Sequence, residues 1–108
     1  MFKASGNIER GQVVRIIEDN HVTPSTVGTN GIGINDHKVL HGNEVTIYIP
    51  GNIVNACGTS AYTPGTVLYA SGNGMVCDQR YSTERPVAIA RSTFATATTN
   101  MVGEVVII

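Results

Sequence analysis

The chain has no tryptophan, and aromatic residues make up only 6% of its 108 positions. Its seven lysine and arginine residues are nearly balanced by eight aspartate and glutamate residues, all scattered, so no basic stripe is available for nucleic acid. No apolar run approaches the roughly 20 residues that a membrane-spanning helix needs. The first residues also lack the apolar stretch of a signal peptide, and we expect a protein that is made in a cytoplasm.

Cysteine is scarce as well, with only Cys57 and Cys77 present. Their separation matches no metal-ligand spacing, and two cysteines do not make a disulfide framework. We interpret them as reduced structural thiols. A disulfide formed outside the cell, or a metal or catalytic role, are the alternatives.

The residue patterns of catalytic and cofactor sites are missing. His37 and His41 would share one face only on a helix, and both stand in a polar connection, as His21 does. The stretch "CGTS" (Cys57–Ser60) has no base at a diagnostic spacing. The glycine-rich "GTNGIG" (Gly28–Gly33) has no Lys-Ser/Thr after it and no long helix, which disfavours a nucleotide-binding loop. The sequence therefore predicts no enzyme, no cofactor and no metal.

What the chain does have is an excess of β-branched residues. It contains 13 valines, 11 isoleucines and 12 threonines against two leucines. Such side chains lose freedom in helices and pack well on pleated sheets. With 12 glycines and four prolines between short apolar runs, the composition predicts an all-β fold. We expect a small compact β-barrel or β-tulip of about seven to nine short strands with short loops.

Three stretches carry the clearest strand signals. In "NEVTIYI" (Asn43–Ile49) apolar and polar residues alternate. "GTVLYASGNGMVCD" (Gly65–Asp78) predicts a hairpin, since Asn73–Gly74 supplies the positive φ angles of a tight turn. "GEVVII" (Gly103–Ile108) is best explained as a strand paired inside the sheet, because a free apolar edge invites aggregation. Further strand candidates are Gly11–Asp19, Gly31–Asn35, Asn52–Cys57 and Arg85–Ser92.

Two parts of the chain resemble each other. "GIGIN" followed by "GNEVTIYI" is similar to "PVAIARS" followed by "VGEVVII", and the alignment places Glu44 on Glu104 and Val45 on Val105. One interpretation is chance, because β proteins reuse Gly-polar-Val strand starts. The other is a pseudo-symmetric barrel built from two similar units.

The order of these motifs resembles that of the small capsid decoration (cement) proteins of tailed bacteriophages. The motifs are G-x-V-V (Gly11–Val14), "PGTVLYASGNGMV" (Pro64–Val76), "PVAIA" (Pro86–Ala90) and G-x-V-x-I (Gly103–Ile107). The likeness covers Gly11–Ile108 and rests on glycine and aliphatic patterns. The sequence departs from the family in having Ala-Ile-Ala where Gly-Val-Ala is usual, and in its two cysteines.

The resemblance implies a structural protein that assembles as a homotrimer on the outer face of an icosahedral phage head. The implied partner is the major capsid protein, the implied location is the virion surface after synthesis in the host bacterial cytoplasm, and nucleic acid and membrane are not partners. Residues 1–10 are then expected to be an extended arm, and residues 11–108 a single β-barrel domain. Phe2, Lys3 and Ile8 are the expected capsid contacts on the arm. A frayed terminus is the alternative for this segment.

Other functions of the same all-β class remain open at this stage. A tail, baseplate or head-completion component of a phage would share the absence of a chemical site. A module that binds a host surface or a glycan is a further alternative, as is an accessory barrel of a larger enzyme. Copy number in the particle separates decoration from the tail components.

Overall fold

The computed structural model describes residues 2–35, 37–48, 50–97 and 100–108. Strands account for 45% of the chain and helix for 3%, which confirms the all-β prediction. The described residues form twelve strands, more than the sequence suggested, because several have only two or three residues and therefore no readable alternation. The strands are β1 (Phe2–Ala4), β2 (Val13–Glu18), β3 (His21–Pro24), β4 (Gly33–Asn35), β5 (Glu44–Val45), β6 (Ile47–Tyr48), β7 (Ile53–Gly58), β8 (Val67–Ala70), β9 (Val76–Cys77), β10 (Ala88–Ala90), β11 (Ala95–Ala97) and β12 (Asn100–Ile107).

The first six strands form one sheet in the order β5-β1-β3-β2-β4-β6. Its two edge strands, β5 and β6, are consecutive in the chain and are separated only by Thr46. Because this one interrupted segment pairs with β1 at its start and with β4 at its end, the sheet bends into a half-barrel around an apolar cluster of its own. We call residues 2–48 the N-terminal unit.

The remaining strands form a second sheet, in which β7, β9, β8, β10 and β12 close into a barrel. The closing strand β12 pairs with β7 on one side and with β10 on the other, and β11 adds to it as a further strand. Val105 and Ile107 are buried inside. The prediction that "GEVVII" is a paired, core-facing strand is thus confirmed. We call residues 53–108 the C-terminal unit.

The predicted hairpin in the C-terminal unit is also confirmed. Strands β8 and β9 pair antiparallel, with Tyr69 opposite Cys77. A single 3₁₀ turn, Gly72–Gly74, connects them, and Asn73 and Gly74 have φ angles of 56° and 70°. This is the positive-φ turn that an Asn-Gly pair favours.

The two units have the same strand order. Strands β1, β3, β2 and β4 of the first sheet correspond to β7, β9, β8 and β10 of the second, and the interrupted strand β5–β6 corresponds to β12. Parallel pairing occurs at equivalent places, between β1 and β3 and between β7 and β9. The repeat interpretation of the sequence therefore agrees with the fold, which contains two barrel-like units where a single barrel was expected.

Hydrogen bonds repeat along with the strands, so the equivalence holds residue by residue. Each of three backbone bonds in the N-terminal unit has a counterpart between equivalent residues of the C-terminal unit. The pairs of bonds are Gly11 N to Asn35 O (3.0 Å) with Gly65 N to Ala90 O (2.8 Å), Ile32 N to Val14 O (2.9 Å) with Val87 N to Leu68 O (2.8 Å), and Ser5 N to Val22 O (2.8 Å) with Thr59 N to Val76 O (3.1 Å).

The register of the repeat differs from the sequence alignment by two residues. The alignment placed Glu44 on Glu104, but pairing with β1 and β7 makes Val45 the equivalent of Gly103. A shift by two keeps every side chain on its original face of the strand. The hydrophobic pattern alone could not distinguish the two registers for this reason.

The cores of the two units are filled differently at equivalent positions. In the C-terminal unit the ring of Phe94 occupies the interior, and a Cβ atom on Gly58 or Gly103 would collide with it. The ring of Tyr62 meets Phe94 edge-on, with centroids 5.6 Å apart. These two glycines therefore provide the space that the large ring fills.

At the equivalent positions, the N-terminal unit has larger residues on its strands and a smaller residue in place of Phe94. Ala4 and Val45 stand where the other unit has glycines, and Val39 stands where it has Phe94. Val39 and Ile8 exchange two backbone hydrogen bonds of 2.8 Å. Close packing is thus maintained by a redistribution of volume.

The segment expected to form an arm is part of the fold in its described residues. Strand β1 lies between β3 and β5 and pairs with both. Ile8 is 0% exposed and Ala4 is buried beside it in the N-terminal core. Phe2 and Ile8 were expected on an arm outside a barrel of residues 11–108. Instead, Ile8 belongs to the core of the N-terminal unit, and Phe2 packs against that core.

Candidate functional surface

The described residues contain no cluster of metal-binding side chains. No group of three or more His, Cys, Asp or Glu residues is placed to hold a metal ion in that part of the chain. The imidazole of His41 accepts a hydrogen bond from the backbone of Gly6 (2.7 Å), and that of His21 bonds the carbonyl of Asp19 (2.7 Å). Both rings thus help to fix loops. No helix in the described ranges is long and apolar enough to cross a membrane.

The two cysteines are free thiols. Cys77 is buried on β9, and its sulfur bonds the carbonyl of Gln79 at 3.3 Å. Cys57 is half-buried at a cleft of about 210 Å³ that Arg10 and Asn55 also line. Burial raises the pKa of the Cys57 thiol, so it is a weak nucleophile at neutral pH. This arrangement agrees with reduced structural thiols.

The three expected capsid contacts do not form one exposed patch. Phe2 and Lys3 are neighbours on β1, so their side chains point to opposite faces of the sheet. Lys3 is exposed and Phe2 is partly buried at the end of the N-terminal core. Ile8 lies inside that core and offers no surface. Contact of Phe2 or Lys3 with a capsid stays a prediction.

The two units meet at a buried apolar junction. Val13 and Ile34 are paired on neighbouring strands and point outward from the N-terminal unit. Both are fully buried, because they belong to the same apolar cluster as the C-terminal core. Ala70 and Val87 form the rim of the C-terminal unit that covers them, close to Gly31.

Hydrogen bonds connect the rim of the C-terminal unit to the outer face of the N-terminal unit. They join the turn between β8 and β9, and the chain near it, to the start of β2 and the loop after β3. The bonds are Ser25 Oγ to Ser71 O (2.9 Å), Gly74 N to Ser25 O (3.1 Å), Gln12 Nε2 to Asn73 O (2.7 Å), Cys57 N to Gly11 O (3.3 Å) and Arg85 N to Asn30 Oδ1 (2.8 Å).

The corresponding outer face of the C-terminal unit is open. Ile53 pairs with Val106, Val106 with Ile89, and Ile89 with Val67, so four β-branched side chains form a row across four strands. Ile53 is 50% exposed and Val67 is 41% exposed, while the two central residues are partly buried. We call this row the open face. Val67 and Ile89 are the equivalents of Val13 and Ile34.

The corresponding rim of the N-terminal unit is also apolar and uncovered. Ile16 stands at the position of Ala70 and is 50% exposed, whereas Ala70 is fully buried. Ile32, the equivalent of Val87, and Phe2 are partly exposed beside it. We call Phe2, Ile16 and Ile32 the open rim. Half-exposed isoleucine at the end of a barrel is a surface that favours a partner.

One buried carboxylate organises the loop between β9 and β10, which lies against the N-terminal unit. Glu84 accepts hydrogen bonds from the backbone N–H groups of Tyr81 (3.0 Å) and Ser82 (2.7 Å). The bond from Tyr81 is the main reason that the pKa of Glu84 lies below its usual range. The ionised side chain thus fixes the loop between β9 and β10.

Sequence reasoning missed both open surfaces. Their residues were visible as apolar positions in predicted strands, but the two-fold repetition was needed to see that one unit's face is covered and the other's is not. The register of the pairs, which the structure supplies, is what aligns Ile53, Val106, Ile89 and Val67 into one row.

Comparison with solved structures finds the same fold over almost the whole chain. The crystal structure of the head fiber gp8.5 N base in bacteriophage phi29 superposes with a TM-score of 0.71 over 99% of this chain and 90% of that chain. The two sequences are 13% identical, so the likeness is one of fold. No protein-family model matches the sequence. A comparison with curated proteins finds no match either.

Proposed function

We propose that this chain is a structural component of a bacteriophage virion that decorates and stabilises the outer surface of the head. In this role it is a cement protein that binds the major capsid protein as a homotrimer and performs no catalysis. The observation that carries the proposal is the superposition with a phage head fiber base, which extends over 99% of the chain. The motifs shared with capsid decoration proteins point in the same direction.

The character of the surface supports a binding role. The described residues present open apolar surfaces, a thiol of raised pKa and loop histidines, and these suit a clamp between proteins better than a reaction centre. A clamp that binds only the mature shell stabilises that state by mass action. Three linked copies on a three-fold position gain strongly in effective affinity, even where each footprint is weak.

The experiment that tests the proposal is binding to isolated capsids that lack the protein. Purified chain is mixed with undecorated shells and with shells already saturated with it, and both samples are sedimented. We expect saturable binding to the undecorated shells only, together with a higher temperature of shell disruption. Binding to tails but not to heads would favour a tail or baseplate component instead, and binding to neither particle would contradict a virion role.

A further inference from the structure

The internal junction has two sides, a rim and an outer face. Each unit has both of them, but among the described residues only one rim contacts one outer face. The junction joins the rim of the C-terminal unit to the outer face of the N-terminal unit. Because the two units share strand order and register, the N-terminal unit has its own rim and the C-terminal unit its own outer face. Within the described part of the chain nothing covers either of them.

We propose that copies of this chain associate head to tail, with the open rim of one copy on the open face of the next. The intermolecular contact would then repeat the internal junction between equivalent elements. This inference rests on the homotrimer of the proposed function and supplies its contact surface. It also assigns Phe2, a residue of the open rim, to the contact between copies and not to the shell.

The apolar groups of the two open surfaces match those of the internal junction. Val67 on the open face occupies the position of Val13, which is fully buried by the neighbouring unit. Ile16 on the open rim occupies the position of Ala70, which is fully buried in the same contact. Joining the copies would remove both half-exposed side chains from water, and this burial drives association.

Charged residues of both signs border each surface. Glu18, Asp19 and Lys3 are exposed near the open rim. On the open face Arg91 and Glu104 stand two residues along the strands from Ile89 and Val106, and their side chains form an ion pair of 3.2 Å. The apolar match of the two surfaces therefore carries the inference, and charge does not.

Two substitutions make the contact between copies looser than the internal one. The open rim has Ile16 where the internal rim has Ala70, and Pro86 stands at the position in the C-terminal unit that Gly31 has in the N-terminal unit. A Cβ atom on Gly31 would collide with Val13, so that glycine permits the closest approach. The wider contact between copies should therefore be reversible and dependent on concentration.

A head-to-tail contact uses two different surfaces, so it either closes into a ring or grows without limit. A ring of three copies satisfies every rim and every face and gives the homotrimer. For the homotrimer of the proposed function, each copy would therefore contribute one rim and one face to a closed ring.

The test uses one charged substitution on each surface and a matched control. Ile16→Asp alters the rim and Val67→Asp alters the face, while Leu40→Asp changes a residue that is 53% exposed and belongs to neither surface. Light scattering after size-exclusion chromatography measures the mass of the full chain. We expect a trimer for the parent and the control. Each surface variant should need at least about tenfold more protein for half-assembly, because its charge would lose water in the contact.

Mixing the two surface variants distinguishes a head-to-tail contact from a symmetric one. The rim variant keeps an intact face, and the face variant keeps an intact rim, so the mixture should form a one-to-one dimer although neither assembles alone. Thermal melts confirm that each variant is folded. If either fails to fold, Ile17→Asp replaces it at the irregular end of β2 beside the rim, or Ile53→Asp on the face.

Three results would overturn the inference. If both surface variants still form trimers, the homotrimer is correct but its contact lies on other residues. Failure of the mixed variants to form a dimer would exclude the head-to-tail arrangement. A parent chain that is monomeric at high concentration would remove the homotrimer too, and its binding to undecorated shells, measured separately, would show whether decoration still holds.

Discussion

The N-terminal and C-terminal units have the same strand order, but they fill their interiors in different ways. Ala4 and Val45 line the first core, whereas Gly58 and Gly103 stand at the equivalent strand positions of the second. The second unit places the ring of Phe94 into the space that its glycines leave. The comparison shows that register and total interior volume define this barrel, and that the identity of each core residue does not.

The comparison also explains why one unit is covered and the other is not. The outer face of the N-terminal unit is completed by the rim that follows it in the chain. The C-terminal unit presents the same kind of face, with Ile53 and Val67 exposed. In the described part of the chain, the tandem repeat therefore leaves one rim and one face without a partner, and we propose that assembly covers them.

The largest expected effect is that of deleting residues 2–7. This deletion removes β1, which pairs with both β3 and β5, so the first unit loses the strand that joins its two sides. We expect loss of cooperative folding or insolubility, because few domains have more than about 5–15 kcal/mol of stability. Circular dichroism during a thermal melt measures the effect. An unchanged melting temperature would instead show that the deleted segment is an arm on which the fold does not depend.

The next largest effect is a difference between the two cores in the unfolding free energy lost on truncation of a side chain. Phe94→Ala should cost about 3–5 kcal/mol of unfolding free energy, since it empties the space between two glycines. Val39→Ala at the equivalent position should cost about 2 kcal/mol, because fewer methyl groups are lost and the neighbouring side chains are larger. Denaturant unfolding of both variants measures the difference. Equal losses would show that the two cores are not filled in the way described.

The third prediction concerns two substitutions that give the C-terminal core the residues found at the equivalent positions of the N-terminal core. Gly103→Val alone should destabilise by at least about 1–3 kcal/mol, because the new side chain would collide with Phe94. Combined with Phe94→Val, the same change should be partly tolerated, since the pair then resembles Val45 with Val39. A double-mutant cycle should give a favourable coupling of about 0.5–3 kcal/mol. Simple additivity would contradict the exchange of volume between these positions.

The smallest effect concerns the loop between β9 and β10, which lies against the N-terminal unit. The pKa of Glu84 is lowered in the folded state, mainly by its bond from the backbone of Tyr81, so its ionised form stabilises the fold above the unfolded pKa. This contribution is lost as the pH falls through the folded pKa. Glu84→Gln should therefore lower the melting temperature at pH 7 and reduce its dependence on pH in the acidic range. An identical pH dependence in parent and variant would exclude the role of this carboxylate.

Part of this fold could be predicted from the sequence, because its signals are local. Excess valine, isoleucine and threonine indicated an all-β fold, Asn73–Gly74 located the hairpin turn, and Gly103–Ile108 was recognised as a core strand. Each conclusion depends on the conformational preference of a few neighbouring residues. The similarity of "NEVTIYI" (Asn43–Ile49) to "GEVVII" (Gly103–Ile108) also offered a repeat as one of two interpretations, with a register that differs from the observed one by two residues.

The rest depends on contacts between distant residues. Strands of two residues, such as Glu44–Val45, are too short to show alternation, so the strand count was low. Phe2 and Ile8 were assigned to an arm because the first core was not recognised as separate from the second. The exchange of Val39 for Phe94 conceals the equivalence of the two cores in the sequence, although the backbone preserves it.

Under the proposed function this chain is part of a phage virion, and the most direct test is electron cryo-microscopy of that virion. The account predicts the density of the paired units on the outer surface of the head, repeated over the lattice, with three copies around each occupied position. Within each group, the open rim of one copy should lie on the open face of the next. Density confined to the tail, or its absence from the particle, would contradict the account.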